Sequence, residues 1–99
     1  MFYVIYQFHT HQGLEDEFCQ SWKAMTELIS NHSGGLGSRL HKSSKGEFIA
    51  YAKWPDRETW QSSSDKLPPQ ADEVRTQMRK CCSKVETLYE LEALEDFIL

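Results

Sequence analysis

SGGLGSRLHKSSKGEFIAYAKWPDRETW, residues 33–60, holds four of the chain's five glycines and two of its three tryptophans. Gly34, Gly35 and Gly37 fall within four residues, and Arg39 and His41 follow them. Such a cluster either cradles a phosphate or turns a helix into a sheet. A phosphate loop runs from a strand into a helix N-terminus, where backbone N–H groups and the dipole meet the anion. Here the order is reversed. Leu14, Phe18, Trp22, Met25 and Ile29 recur at helical spacing before the glycines, and alternating residues come after them. No Lys-Ser/Thr pair follows at nucleotide-loop spacing. The glycines therefore read as a helix C-terminus and a close backbone approach.

Working outward, residues 36–42 read as a strand, KSSKGE as a turn around Gly46, and residues 47–54 as the returning strand of a hairpin. Pro55 suits the first position of a short helix through DRETWQSSS. Pro68 and Pro69 punctuate before a second helical segment at about 70–82, and KVETLYELEAL (84–94) alternates as a last strand. At the other end, FYVIYQFH (2–9) is β-branched and aromatic, and the helix from Leu14 to about His32 opens with Glu15, Asp16 and Glu17 at its positive pole. The order β-α-β-β-α-β predicts an α+β, ferredoxin-like antiparallel sheet with helices on one face.

The faces carry a second expectation. Phe2, Val4, Tyr6 and Phe8 share one side of the first strand, and Tyr3, Ile5, Gln7 and His9 the other. The third strand offers Phe48, Ala50, Ala52 and Trp54 against Ile49 and Tyr51. Helices cover one side only, so a second copy of the same sheet is the expected cover for the other, giving a homodimer. Ninety-nine residues, 39% of them apolar, make one domain over 1–99 with a small core, which a partner subunit would help to bury.

The net charge of −4 argues against nucleic acid, which wants a basic face. The charge is uneven: Glu86, Glu90, Glu92, Glu95 and Asp96 leave residues 1–85 at about +1. No apolar run approaches the ~20 residues that span a membrane, and MFYVIYQFHTHQG lacks the basic region and cleavage site of a signal peptide. Cys19, Cys81 and Cys82 form neither an even framework nor CxxC metal spacing. Reduced thiols in a cytoplasm are the expectation.

GGLGSRLH…GEFIAYAKWPDRETW, preceded by a strand and a G-x-E-x-x-F…W helix start (Gly13, Glu15, Phe18, Trp22) and followed by a strand ending EDFIL, resembles the antibiotic biosynthesis monooxygenase family over essentially the whole chain. The resemblance implies homodimers whose sheets face each other as a dimeric α+β barrel. It also implies a range of activities, from cofactor-independent oxygenases of polyketide-like aromatics to haem-degrading enzymes and proteins with no assigned reaction. The haem-degrading branch relies on an asparagine in the first strand and a histidine in the second helical region. This chain has neither an Asn at 2–9 nor a His at 55–82.

Candidate chemistry is sparse. His9 and His11 have the spacing of a metal pair on a strand, but the strand is ending there and no third ligand is evident, so neither a metal nor another cofactor is expected. Trp22 reads as core on the helix's apolar stripe. Trp54 closes a strand just before Pro55, where a cavity between sheet and helices would open. A cofactor-independent oxygenase needs a base, a cavity and stabilisation of an anion. On that reading His41 is the base, by its reference pKa, and should face the cavity between sheet and helices. Arg39 holds an anionic substrate, Tyr51 hydrogen-bonds it and Trp54 stacks on it, the ligand being a small aromatic or phenolic molecule. The plainer alternative pairs Arg39 and His41 with acids across a dimer, in a non-catalytic module that binds a small molecule or regulates.

Overall fold

Strand β1 (Phe2–Thr10) occupies the middle of the sheet, where apolar residues on both faces have use. The computed structural model describes residues 1–98, so Leu99, the last residue of the EDFIL stretch, lies outside the described residues. After β1 come α1 (Glu15–His32), β2 (Ser38–Lys42), β3 (Phe48–Trp54), α2 (Arg57–Gln61), a 3-10 turn (Ser63–Lys66), α3 (Ala71–Lys80) and β4 (Cys82–Glu92). The sheet runs β2-β3-β1-β4 with every neighbouring pair antiparallel. This is the ferredoxin-like α+β arrangement that the alternation and helical periods predict.

The expected boundaries shift for local reasons. Residues 36 and 37 are bonded to β3 through Leu36 N–H to Lys53 O and Lys53 N–H to Gly37 O, both 2.9 Å. Gly37 nevertheless sits at φ +107, outside the strand region, so β2 begins at Ser38. Asp56 rather than Pro55 starts α2, because its Oδ1 accepts the Thr59 N–H at 2.8 Å. Helix α3 ends at Lys80, and Cys82 already belongs to β4, which stops at Glu92.

Register fixes the faces. Tyr6 lies opposite Ala50, Val4 opposite Ala52 and Phe8 opposite Phe48, all toward the helices, with Leu40 of β2 opposite Ala50 on the same side. The packing there divides in two. One cluster joins Phe8, Phe18, Phe48, Ala50 and Cys81; the other joins Phe2, Val4, Ala52 and Trp54; Tyr6 packs against both. Phe18 of α1 is fully buried, its ring 4.9 Å from Phe8 and 5.4 Å from Phe48 in tilted pairs. On the far face Tyr3 stacks on Tyr51 at 4.9 Å.

Phe18→Ala should lower the unfolding free energy by about 3–5 kcal/mol, the usual cost of deleting a buried ring. Urea unfolding followed by circular dichroism measures it, and a loss under about 1 kcal/mol would mean that the cluster repacks around the gap.

Candidate functional site

Two small residues open the site. Between the large inward residues of β3, Phe48 and Trp54, stand Ala50 and Ala52, so α1 and the 61–79 segment bridge over a gap instead of a filled layer. The result is a half-open cavity of about 540 Å3 between sheet and helices, a volume in the range of small-molecule sites. Its walls are aromatic and aliphatic: Tyr6 and Trp54 from the sheet, Trp22, Met25 and Ile29 from α1, Trp60 from α2. Gly35 lets the end of α1 close against Trp54, since a Cβ there would sit 2.8 Å from Ile29 Cγ2 and 3.5 Å from the indole.

Polar groups are few and specific. Trp60 Nε1–H donates to Tyr6 Oη at 2.7 Å, which fixes both rings in the wall. Burial holds the Tyr6 phenol above the ordinary tyrosine value of 10; the Trp60 N–H offsets part of this, and the Glu90 carboxylate adds to it. The indole of Trp54 is only 4% exposed, and its Nε1–H finds no acceptor among the described residues. A buried donor left unpaired costs about 1–3 kcal/mol, and the fold carries that cost at Trp54, whose Nε1 is closed off from the cavity space. At the rim, Arg57 pairs with Glu90 while its guanidinium lies 4.8 Å over the Phe2 ring.

The residues expected to act together are split by the sheet. Trp54 lines the cavity. Arg39 and His41 are exposed and face the other way, opposite Tyr51 and Ile49 in the ladder, and Tyr51 is turned toward Tyr3 on that far face. The expectation that His41 faces the cavity between sheet and helices is therefore corrected: side chains alternate, and the face with Ser38, Leu40 and Lys42 is the one turned to the helices. Arg39 and Tyr51 move with it. The residues missed are Tyr6, Trp60, Arg75, Arg79 and Glu90, all in the cavity wall. The Ala50–Ala52 pair, flanked by aromatics on an inward face, was the sequence signal for a void at this place.

His9 Nε2 bonds Glu86 Oε1 at 2.6 Å on the far face, and that bond is the main cause holding the Glu86 carboxyl below its ordinary range. His11 lies beyond the end of β1, its backbone N–H bonded to Cys81 O. Among the described residues no group of three His, Cys, Asp or Glu side chains is placed to hold a metal ion. The thiols are all pushed up, chiefly by burial: Cys19 and Cys81 upward, and Cys82 to about 11 with Cys81 as its second cause.

For Tyr6 the sign is definite. A phenol raised in the fold adds stability that is complete below pH 10 and is lost as pH rises from there through the folded value. Absorbance titration of wild type and Tyr6→Phe should differ by one phenol ionising above 10, and Trp60→Phe should move that phenol higher still by removing the N–H that favours phenolate. A lower value in Trp60→Phe would refute the assigned role of the bond.

Comparison with known proteins agrees with the geometry. The family model for antibiotic biosynthesis monooxygenase matches residues 1–80. Among curated proteins none matches the sequence. Among solved structures, a mutant form of SnoaB, a cofactor-independent oxygenase from Streptomyces nogalater, superposes with TM-score 0.77 at 14% identity, covering 97% of this chain and 95% of that one. Rv0793 from Mycobacterium tuberculosis gives 0.70 at 17% identity over 95% and 98%. A structure described as antibiotic biosynthesis monooxygenase gives 0.74 at 16% over 96% and 100%. At these identities the superpositions speak to the fold alone, a ferredoxin-like sheet under helices. The sequence match over most of the length goes further, and by it the chain belongs to the antibiotic biosynthesis monooxygenase family.

Proposed function

We propose that the protein is a cofactor-independent monooxygenase acting on a planar phenolic or quinol-like compound in the cavity between sheet and helices. The observation that carries this reading is the half-open cavity walled by Tyr6, Trp22, Trp54 and Trp60, with the Tyr6 phenol as its hydrogen-bonding group. A phenol O–H matches a ligand oxygen that gains negative charge, and the surrounding rings match a flat ligand body. In a substrate of anthrone type the methylene gives a proton to solvent at the open mouth of the cavity, the resulting anion passes one electron to O2, and the proton is regained when the peroxide forms. Recombination gives a hydroperoxide, which loses water to leave a carbonyl; overall CH2 and O2 become C=O and H2O. The substrate supplies every electron, and the chain's part is to bind, to exclude water and to hold the oxyanion. Tyr6, already accepting from Trp60, is free to donate its own O–H to the same ligand.

We assign the far face to a homodimer. Ile5, Ile49 and Tyr51 lie on it, on the side away from the helices, while Leu94, Phe97 and Ile98 are 92%, 85% and 80% exposed. On the same face burial holds the Tyr51 phenol above its ordinary value, the Asp96 carboxylate adds to this and Arg39 offsets it, so the seam would meet charges of both signs. On this reading His41 belongs to the seam and not to the reaction.

Three measurements test these readings. Oxygen uptake with an anthrone-type phenol should fall roughly 10²-fold in Tyr6→Phe, the lower end for losing an oxyanion donor. The same assay should leave His41→Ala within about twofold of wild type, since a group remote from the reacting atoms contributes little to the barrier. No uptake by the wild type across phenols and hydroquinones, with binding retained, points instead to the non-catalytic binding module. Light scattering should give about 23 kDa, twice the 11.6 kDa chain, and a value of one chain at micromolar concentration removes the dimer.

A further inference from the structure

The cavity wall is charged against the trend of the chain. The molecule carries −4 overall, yet the charged side chains that reach the cavity are two cations, Arg75 and Arg79, and one carboxylate, Glu90. Lys53, opposite Tyr3 in the ladder, borders it through its backbone and turns its side chain to the far face. Glu90 is already paired with Arg57, so it does little to balance the two arginines. Arg75, Met78 and Arg79 stand at i, i+3 and i+4 of α3, which places both guanidinium groups on the helix face that borders the cavity. Arg75 reaches Asp72 only at 3.5 Å, and the Asp72 side chain is 83% exposed, a contact that water screens. Among the described residues Arg79 has no carboxylate within ion-pair distance. Across the cavity stand the indoles of Trp54 and Trp60 and the phenol of Tyr6.

The geometry points to a ligand with two unlike ends: an aromatic ring system between the indoles, and a carboxylate held by Arg75 and Arg79. Guanidinium forks suit this, since they bind a carboxylate through two parallel N–H···O bonds and stay charged at any physiological pH. The cavity's length of aromatic wall would accept the neutral body of many flat molecules; the arginine pair selects the acids among them. This inference rests on the cavity being the ligand site, as the proposed function requires, and adds the class of ligand.

Quenching of tryptophan fluorescence by 6-hydroxy-2-naphthoic acid and by 2-naphthol tests it, because the two probes share a ring system and differ in the carboxylate. The acid should bind about tenfold tighter, as two partly exposed ion pairs of up to about fivefold each allow. Arg75→Gln and Arg79→Gln should each cut that preference about threefold, the double variant should bring it near parity, and Arg79→Lys should retain part of it. Affinity for 2-naphthol should stay constant throughout, which also shows that the variants are folded. About 0.5 M salt should weaken the acid alone. Equal affinity of the two probes for wild type overturns the inference and leaves the cavity reading standing. A preference for the acid that survives the double variant overturns the assignment to these arginines. Binding of neither probe removes the cavity as the ligand site, and the inference with it.

Discussion

Everything in this molecule depends on an uneven row of side chains along the centre of the sheet. On the helix side, β1 presents Phe2, Val4, Tyr6 and Phe8 against Trp54, Ala52, Ala50 and Phe48 of β3. Large residues meet at both ends of the row, and small ones sit in the middle. The helices can therefore close tightly on Phe18 at one end and on Trp54 at the other, but not between them. A layer that packs at crystal density cannot leave such a gap without cost, and the cavity is what remains. Tyr6, in contact with both clusters, is the one large residue in the gap, and its phenol is tied to Trp60 rather than left free to fill it.

The same arrangement explains how a small domain supports a site without a charged reaction centre. The groups in the wall are aromatic rings, a phenol and cations at the edge. These stabilise negative charge on something else; none is a strong nucleophile. A chemistry in which the bound molecule supplies its own electrons asks no more of the protein than this.

Much of the fold was legible in the sequence. The β-branched and aromatic run at 2–9, the hairpin strand at 47–54, the three-and-four spacing from Leu14 to Ile29, the punctuation at Gly34–Gly37 and Pro68–Pro69 and the alternation at 84–94 identify every major element. Boundaries moved where a single bond or torsion decides them, as at Gly37 and Asp56. The site was less legible. Alternation put Arg39 and His41 on one face of β2 and Tyr51 on the opposite set from Trp54, yet all four were expected around one ligand. Which set faces the helices follows from the whole sheet, and a histidine attracts attention that two alanines do not. Arg75 and Arg79 lie more than twenty residues from Trp54 in sequence, in a helix whose rotation about its axis only tertiary packing sets.

The three thiols gain meaning from this setting. Cys19 and Cys82 pack against the same cluster that holds Phe8 and Phe18, and burial keeps both, with Cys81, in the neutral form well past physiological pH. Peroxide and superoxide attack thiolate far faster than thiol. By keeping them protonated, the fold makes its interior sulfurs poor targets for oxidants of either kind.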